Sequence, residues 1–189
     1  MKEYILIFLT LIFADNILFT KMLGLEFGLV LRNEKKLTPI FWAATIGLST
    51  LASTGAQMLG EKGMGAVVCG AFFPIIGVLG GFVFEFVFKK EKNVRTFALA
   101  LAINTSLLGI AFSMTTLAGT KEAFISGISH GVGLMLSAVM MNCIEERVKY
   151  ARPPKLLGKT LLTLLCVGLV AMVFSAFDGF ELRFENFNS

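Results

Sequence analysis

The stretch LIFADNILFTKMLGLE (residues 11–26) begins as hydrocarbon-soluble sequence and then sets Asp15, Asn16, Lys21 and Glu26 where a membrane helix should be apolar. An acidic side chain at the centre of a bilayer costs about 2.5–3.5 kcal/mol even on insertion scales. A chain that keeps one there needs a partner for it, an interior to face, or a break in the helix. Which of these applies decides how the rest of the molecule is read.

The surrounding composition is that of a membrane protein. Apolar residues make up 56% of the 189 and charged residues 16%, with nineteen Phe and nine Met. Soluble domains run near 45–50% and 25% respectively. Mean hydropathy is +0.78. Six stretches approach the roughly 20 residues that cross a hydrocarbon core: Tyr4–Phe19, Leu37–Met58, Gly65–Phe88, Phe97–Leu117, Ala123–Ile144 and Leu156–Phe177. The short alternating segments of a β-barrel are not found. The expected class is therefore all-α integral membrane, a single domain over 1–189. The first stretch is read as a mature helix rather than a signal peptide, because Asp15-Asn16 stands where a small-residue cleavage site would be required.

Charge sets the orientation. Lys21, Arg32, Lys35 and Lys36 flank the first connection, Lys89, Lys90, Lys92 and Arg95 the third, and Arg147, Lys149, Arg152, Lys155 and Lys159 the fifth. These are thirteen of the seventeen basic residues; Lys2, Lys62, Lys121 and Arg183 are left for the other side. The positive-inside rule puts the rich connections in the cytoplasm and both termini outside. A net charge of +4 distributed in this way points to lipid and not to nucleic acid.

Six segments split into halves of three (about 1–90 and 91–180, with a polar tail at 181–189), and an odd number inverts the second half. Inverted repeats place functional sites at the midplane, where discontinuous helices meet. The polar interruption Asp15-Asn16, followed by Leu23-Gly24, has a counterpart in AINTSLLGI, where Asn104, Thr105 and Ser106 precede Leu108-Gly109. Helices 1 and 4 are thus expected to break at mid-membrane. The candidate pathway for an ion or substrate comprises Asp15, Asn16, Lys21, Glu26, Asn104, Thr105 and Ser106. The plainer reading of Asn104, Thr105 and Ser106 is hydrogen bonding between helices.

Other features are weaker. His130 in GISHGVG is either a proton relay or, more commonly for such a residue, a hydrogen-bonded packing element. Gly77/Gly81 and Gly127/Gly131 have the spacing that lets helices approach closely. Pro74 is a potential kink. Glu85 is expected to pair with Lys89 one turn on. The methionines of MLSAVMMNC read as packing filler. Cys69, Cys143 and Cys166 lack metal-ligand spacing and are expected as buried small hydrophobes. NCIEERVKYARPPK reads as a helix leaving the membrane until Pro153-Pro154 stops it, offering a solvated face or a docking surface for a peripheral subunit.

EYILIF with DNILFTKMLGL, NTSLLGIA, IEERV and FSAFDGF, in this order over nearly the whole chain, resemble the six-helix membrane subunits of the Rnf complex and of the sodium-pumping NADH:quinone reductase. The RnfA-type member is the most similar. The resemblance implies a prokaryotic plasma (inner) membrane protein paired with a homologue of opposite topology, with peripheral subunits on the cytoplasmic side. It also implies a [2Fe–2S] cluster between the pair, two cysteines coming from each partner. The positions matching those cysteines here hold Glu26 and Thr105. Thiolates suit such clusters, whereas hydroxyl and carboxylate do not, so no cofactor and no metal are expected.

Three functions follow as expectations. The first is a non-catalytic membrane subunit of an ion-translocating electron-transport complex. The second is a cluster-free relative that moves an ion or small solute through a midplane site containing Asp15, Glu26 and Asn104. The third is a structural anchor without a site.

Overall fold

The computed structural model describes residues 2–25, 38–61, 66–89, 94–113, 119–151 and 158–176. Glu26, Pro153, Pro154 and the tail lie outside them. Among the described residues the chain is all helical, with eight helices: α1 (Lys2–Phe13), α2 (Ile17–Lys21), α3 (Thr38–Glu61), α4 (Ala66–Val87), α5 (Val94–Ala102), α6 (Thr105–Ser113), α7 (Thr120–Tyr150) and α8 (Lys159–Ser175). Four of the six expected segments are single helices. The first and fourth are each two, divided at the polar interruptions.

Both divisions are made by asparagine. Asn and Asp side chains can bond the backbone two residues on, which favours the start of a helix over its interior. Asn16 has extended backbone (φ −67°, ψ 112°), and its side chain accepts from Leu18 N at 3.1 Å, starting α2. Asn104 Oδ1 accepts from Ser106 N at the same distance, starting α6. Before the first division, the N–H groups of Ala14 and Asp15 both return to Thr10 O, at 2.7 and 2.9 Å. α2 closes on Met22, at φ 55°, with its N–H returned to Ile17 O. Gly24 follows at φ 90°, a conformation that glycine adopts without Cβ strain.

Glycines let the long helices touch. A Cβ on Gly127 would stand 2.6 Å from Thr50 Cα, and one on Gly131 2.9 Å from Ile46 Cα, so α7 lies directly on α3. Serines on α3 reinforce this contact: Ser49 Oγ donates to Gly127 O at 2.9 Å, and Ser53 Oγ donates to Ala123 O. A Cβ on Gly77 or Gly81 would meet Leu101 O or Ala98 O at 3.0 and 2.5 Å, seating α4 on α5. The small-xxx-small spacing thus marks real contacts in both halves. α4 runs continuously through Pro74.

The aromatic core gathers around the fully buried Phe41, whose ring meets Trp42, Phe84 and Phe97 edge-on at 5.6, 6.4 and 5.1 Å. A second cluster joins Phe19 and Phe174, 4.6 Å apart, to Leu18, Leu134, Met141 and Val167. The outer surface is apolar as well: Phe82, Phe86, Leu169 and Met172 are 64–82% exposed. In water that surface would be an aggregation liability; against lipid it is solvated. Among the described residues α7 is the one unbroken helix both long and apolar enough to cross a bilayer. Its 31 residues reach about 46 Å at 1.5 Å per residue, more than a core of about 30 Å requires. The excess carries Glu146, Arg147, Lys149 and the exposed Tyr150 beyond the apolar part.

Two expectations are corrected here. Glu85 pairs with Arg95 Nε at 3.2 Å, from the start of α5, and not with Lys89. α4 packs against α5, so the chain's return brings Arg95 to the carboxylate. Cys143 is exposed on this chain, while Cys166 is only partly buried.

Candidate functional site at two broken helices

At the first break, Asn16 is 1% exposed and uses its whole amide. Nδ2 donates to Ile12 O at 2.8 Å and to Gly133 O of α7 at 3.2 Å. Oδ1 accepts from Leu18 N, and Ser137 Oγ of α7 stands 2.7 Å from it. A Cβ on Gly133 would come within 3.3 Å of Leu11 O, so the absent side chain is what admits the break to α7.

Asp15 and Lys21 form an ion pair of 3.6 Å, and Thr20 Oγ1 lies 3.4 Å from the same carboxylate. A continuous helix would not align side chains six apart, since neighbours on one face are three or four apart; the break makes the pair possible. Asp15 therefore has the partner that its cost demands. It does not face the interior of this chain: its side chain is 41% exposed and that of Lys21 38%.

The second break is finished differently. Asn104 is 6% exposed, and Oδ1 accepts from the backbone and the hydroxyl of the fully buried Ser106. Its Nδ2 has no hydrogen-bond partner. Thr105 is exposed, and its Oγ1 accepts from Gly24 N at 2.9 Å. α2 and α6 meet beside this bond, because a Cβ on Gly109 would be 2.7 Å from Leu23 Cδ1 and 3.3 Å from Ile17 Cγ2.

The structure thus gathers the candidates into two groups. Asp15, Asn16 and Lys21 join Gly133 and Ser137. Asn104, Thr105 and Ser106 join Leu23 and Gly24. The chain from 15 to 24 runs from one group to the other, while Glu26 lies outside the described residues. His130 is 2% exposed, its Nδ1 2.8 Å from Ser126 O. Sequence reasoning misses Gly133 and Ser137 as partners of Asn16, although with Ser126 and His130 they form one stripe along α7 at helical spacing.

Among the described residues, an all-helical bundle with an apolar exterior, hydroxyl groups bonding between its helices and two helix breaks made by asparagine is consistent with an all-α membrane protein. No protein-family model matches the chain. Among curated proteins it is similar to the E subunit of the Na(+)-translocating NADH-quinone reductase. It is 27% identical to that of Neisseria meningitidis over 201 residues, 28% to that of Haemophilus influenzae over 203, and 26% to that of Aeromonas hydrophila over 198. Each match covers 96% of this chain and 100% of the relative. The similarity runs over nearly the whole chain and supports the resemblance to the Rnf/Nqr membrane-subunit family.

The residues present do not fit the [2Fe–2S] cluster that the resemblance implies. Thr105 brings a hydroxyl, already engaged by Gly24 N–H, to a position where a soft thiolate is required. Glu26 brings a hard carboxylate. Cys143 and Cys166 sit on α7 and α8, away from this junction in sequence. Among the described residues no three His, Cys, Asp or Glu side chains come together as metal ligands.

Proposed function

We propose that this chain is a membrane subunit of an Nqr/Rnf-type complex of the prokaryotic inner membrane, and that its junction works without a cluster. The hydrogen bond from Gly24 N to Thr105 Oγ1 carries the reading. It ties the two broken helices together at Thr105, one of the two positions where the family's cysteines are expected, and it does so with an oxygen. The name shared by the relatives is that of a sodium-translocating reductase. In this reading the chain retains the translocating part of that work and has given up the electron relay.

Six spans in two inverted halves, termini outside, follow from the charge asymmetry and the paired breaks. Backbone irregular at bilayer depth is tolerated only where protein or a wet cavity covers it, so a homologue of opposite topology covers the exposed Thr105 face. Peripheral subunits meet the projecting end of α7 on the cytoplasmic side. Asp15 and Asn104, one at each break, and Glu26, named from the sequence alone, are the candidate pathway residues, since ionisable residues such as the two acids mark ion pathways within membrane segments. The bilayer is the other partner.

The test is flux in proteoliposomes holding the intact complex, read with radioactive sodium and with a pH-sensitive dye. Glu26→Gln and Asp15→Asn are expected to abolish flux of the coupled ion while the purified complex keeps its subunit composition. Unchanged flux in both variants overturns the assignment.

A further inference from the structure

α8 carries an apolar groove that runs directly into a cluster of unpaired cations. The helix packs on α7 and α2 through one stripe, with Val167 and Phe174 buried in the second cluster. The opposite stripe turns outward, where Leu161, Leu165, Leu169 and Met172 are 48–70% exposed. Between them lies a groove of about 610 Å³, lined also by Cys166 and Gly168. Gly168 leaves a notch in it, since a Cβ there would meet nothing within 4 Å. From Leu161 to Met172 the groove follows the helix for about 17 Å at 1.5 Å per residue. That is close to half of a hydrocarbon core of about 30 Å, the depth of one leaflet.

The end of the groove at the start of α8 is positive. Lys159 is the first residue of the helix, where the helix dipole disfavours a cation and favours an anion. The N-cap is Gly158, which supplies no side-chain acceptor, and no acidic residue stands in the first turn. Lys159 Nζ donates to Lys149 O at 3.3 Å, one of the three bonds an ammonium can make. That contact sets the last turn of α7 beside it, with Arg147 and Lys149 exposed. Among the described residues no ion pair joins Arg147, Lys149 or Lys159 to an acid. The acids of that turn are Glu145, which is buried, and Glu146, which is exposed. Arg147 and Lys149 answer the negative C-terminal end of α7. Lys159, at a positive end, has no such reason to be there.

We propose that this face of α8 binds an anionic phospholipid, its headgroup phosphate at Gly158 and Lys159 and an acyl chain in the groove. Charge selects the headgroup, and the groove selects a lipid over a free phosphate. A helix from a partner subunit suits the face less, because helix association in lipid relies on small residues four apart or on polar side chains. Gly168 has Leu164 and Met172 at those places, and the lining holds no hydroxyl or amide. The inference rests on the membrane reading of the chain and on none of the pathway residues.

The full chain, in an uncharged detergent, is titrated with phosphatidylglycerol and with phosphatidylcholine, and retained lipid is counted by native mass spectrometry. One phosphatidylglycerol should be held at least fivefold more tightly than phosphatidylcholine, and inorganic phosphate should not displace it. Lys159→Gln should weaken its retention about fivefold, the effect of one basic residue facing an anionic lipid surface. Gly168→Leu, placed where there is open space, should weaken it by a similar factor without changing the charge of the site. Lys121→Gln, at the other end of α7, should leave it unchanged. Equal retention of the two lipids, displacement by phosphate, or indifference to both α8 variants overturns the proposal. So does loss of the lipid in the intact complex, which would assign the face to a partner helix. Retention is read without flux, so failure of the Glu26 and Asp15 assignment leaves this result standing, and the reverse holds as well.

Discussion

Asn16 and Asn104 do the same work at the starts of α2 and α6, each accepting from the backbone N–H two residues on. Only Asn16 also spends its amide nitrogen, on Ile12 O and Gly133 O. Asn104 keeps a buried N–H2 without a partner. The first break is thus a closed joint clamped to α7, and the second is an open one. The difference shows that one residue type can interrupt a helix for support in one half and leave capacity for binding in the other. The open joint is also where Thr105 stands exposed beside Gly24, and where a covering partner would contribute.

Serine substitution separates the two roles, because serine caps as well as asparagine but cannot reach across a helix. Asn16→Ser loses both donations and the Ser137 contact, at about 1 kcal/mol each. Its destabilisation should approach about 3 kcal/mol by that count, read by denaturation in mixed micelles. A loss below a few tenths would show that the clamp is not needed.

Next in size is the α3–α7 contact that supports the closed joint. Gly127→Ala forces a methyl to within 2.6 Å of Thr50 Cα, an overpacking worth about 1–3 kcal/mol. Gly168→Ala on α8, with open space around it, should be neutral in the same assay. Thr105→Val strands Gly24 N–H and should cost about 1 kcal/mol, whereas Thr105→Ser should restore it. Equal behaviour of the two Thr105 variants would remove that bond from the account.

The smallest effect belongs to the open joint. Asn104→Ser keeps the backbone cap and gives up the contact with the Ser106 hydroxyl and an unpartnered N–H2, so it should cost no more than about 1 kcal/mol.

The two breaks are legible in sequence because Asp15-Asn16 and Asn104-Thr105-Ser106 interrupt apolar runs with groups that compete for backbone hydrogen bonds. The close helix contacts are legible from glycine spacing. The closure of the first break is not, since Gly133 and Ser137 lie 117 and 121 residues from Asn16 and sit in stretches that read as packing. Lys21 can be named as a neutralising charge, but its pairing depends on a turn that no helical periodicity describes. Glu85 misleads for a related reason. An i,i+4 neighbour is visible in one helix, whereas Arg95 arrives from the next element.

The central claim is that an oxygen-lined junction has replaced a thiolate one, and iron content tests it most directly. The intact complex, purified under anaerobic conditions with its partner subunits, should hold no iron assignable to this chain. Cysteines restored as Glu26→Cys with Thr105→Cys should then add iron and visible charge-transfer absorption. Stoichiometric iron in the unaltered complex that disappears with Thr105→Val or Glu26→Gln would contradict the account.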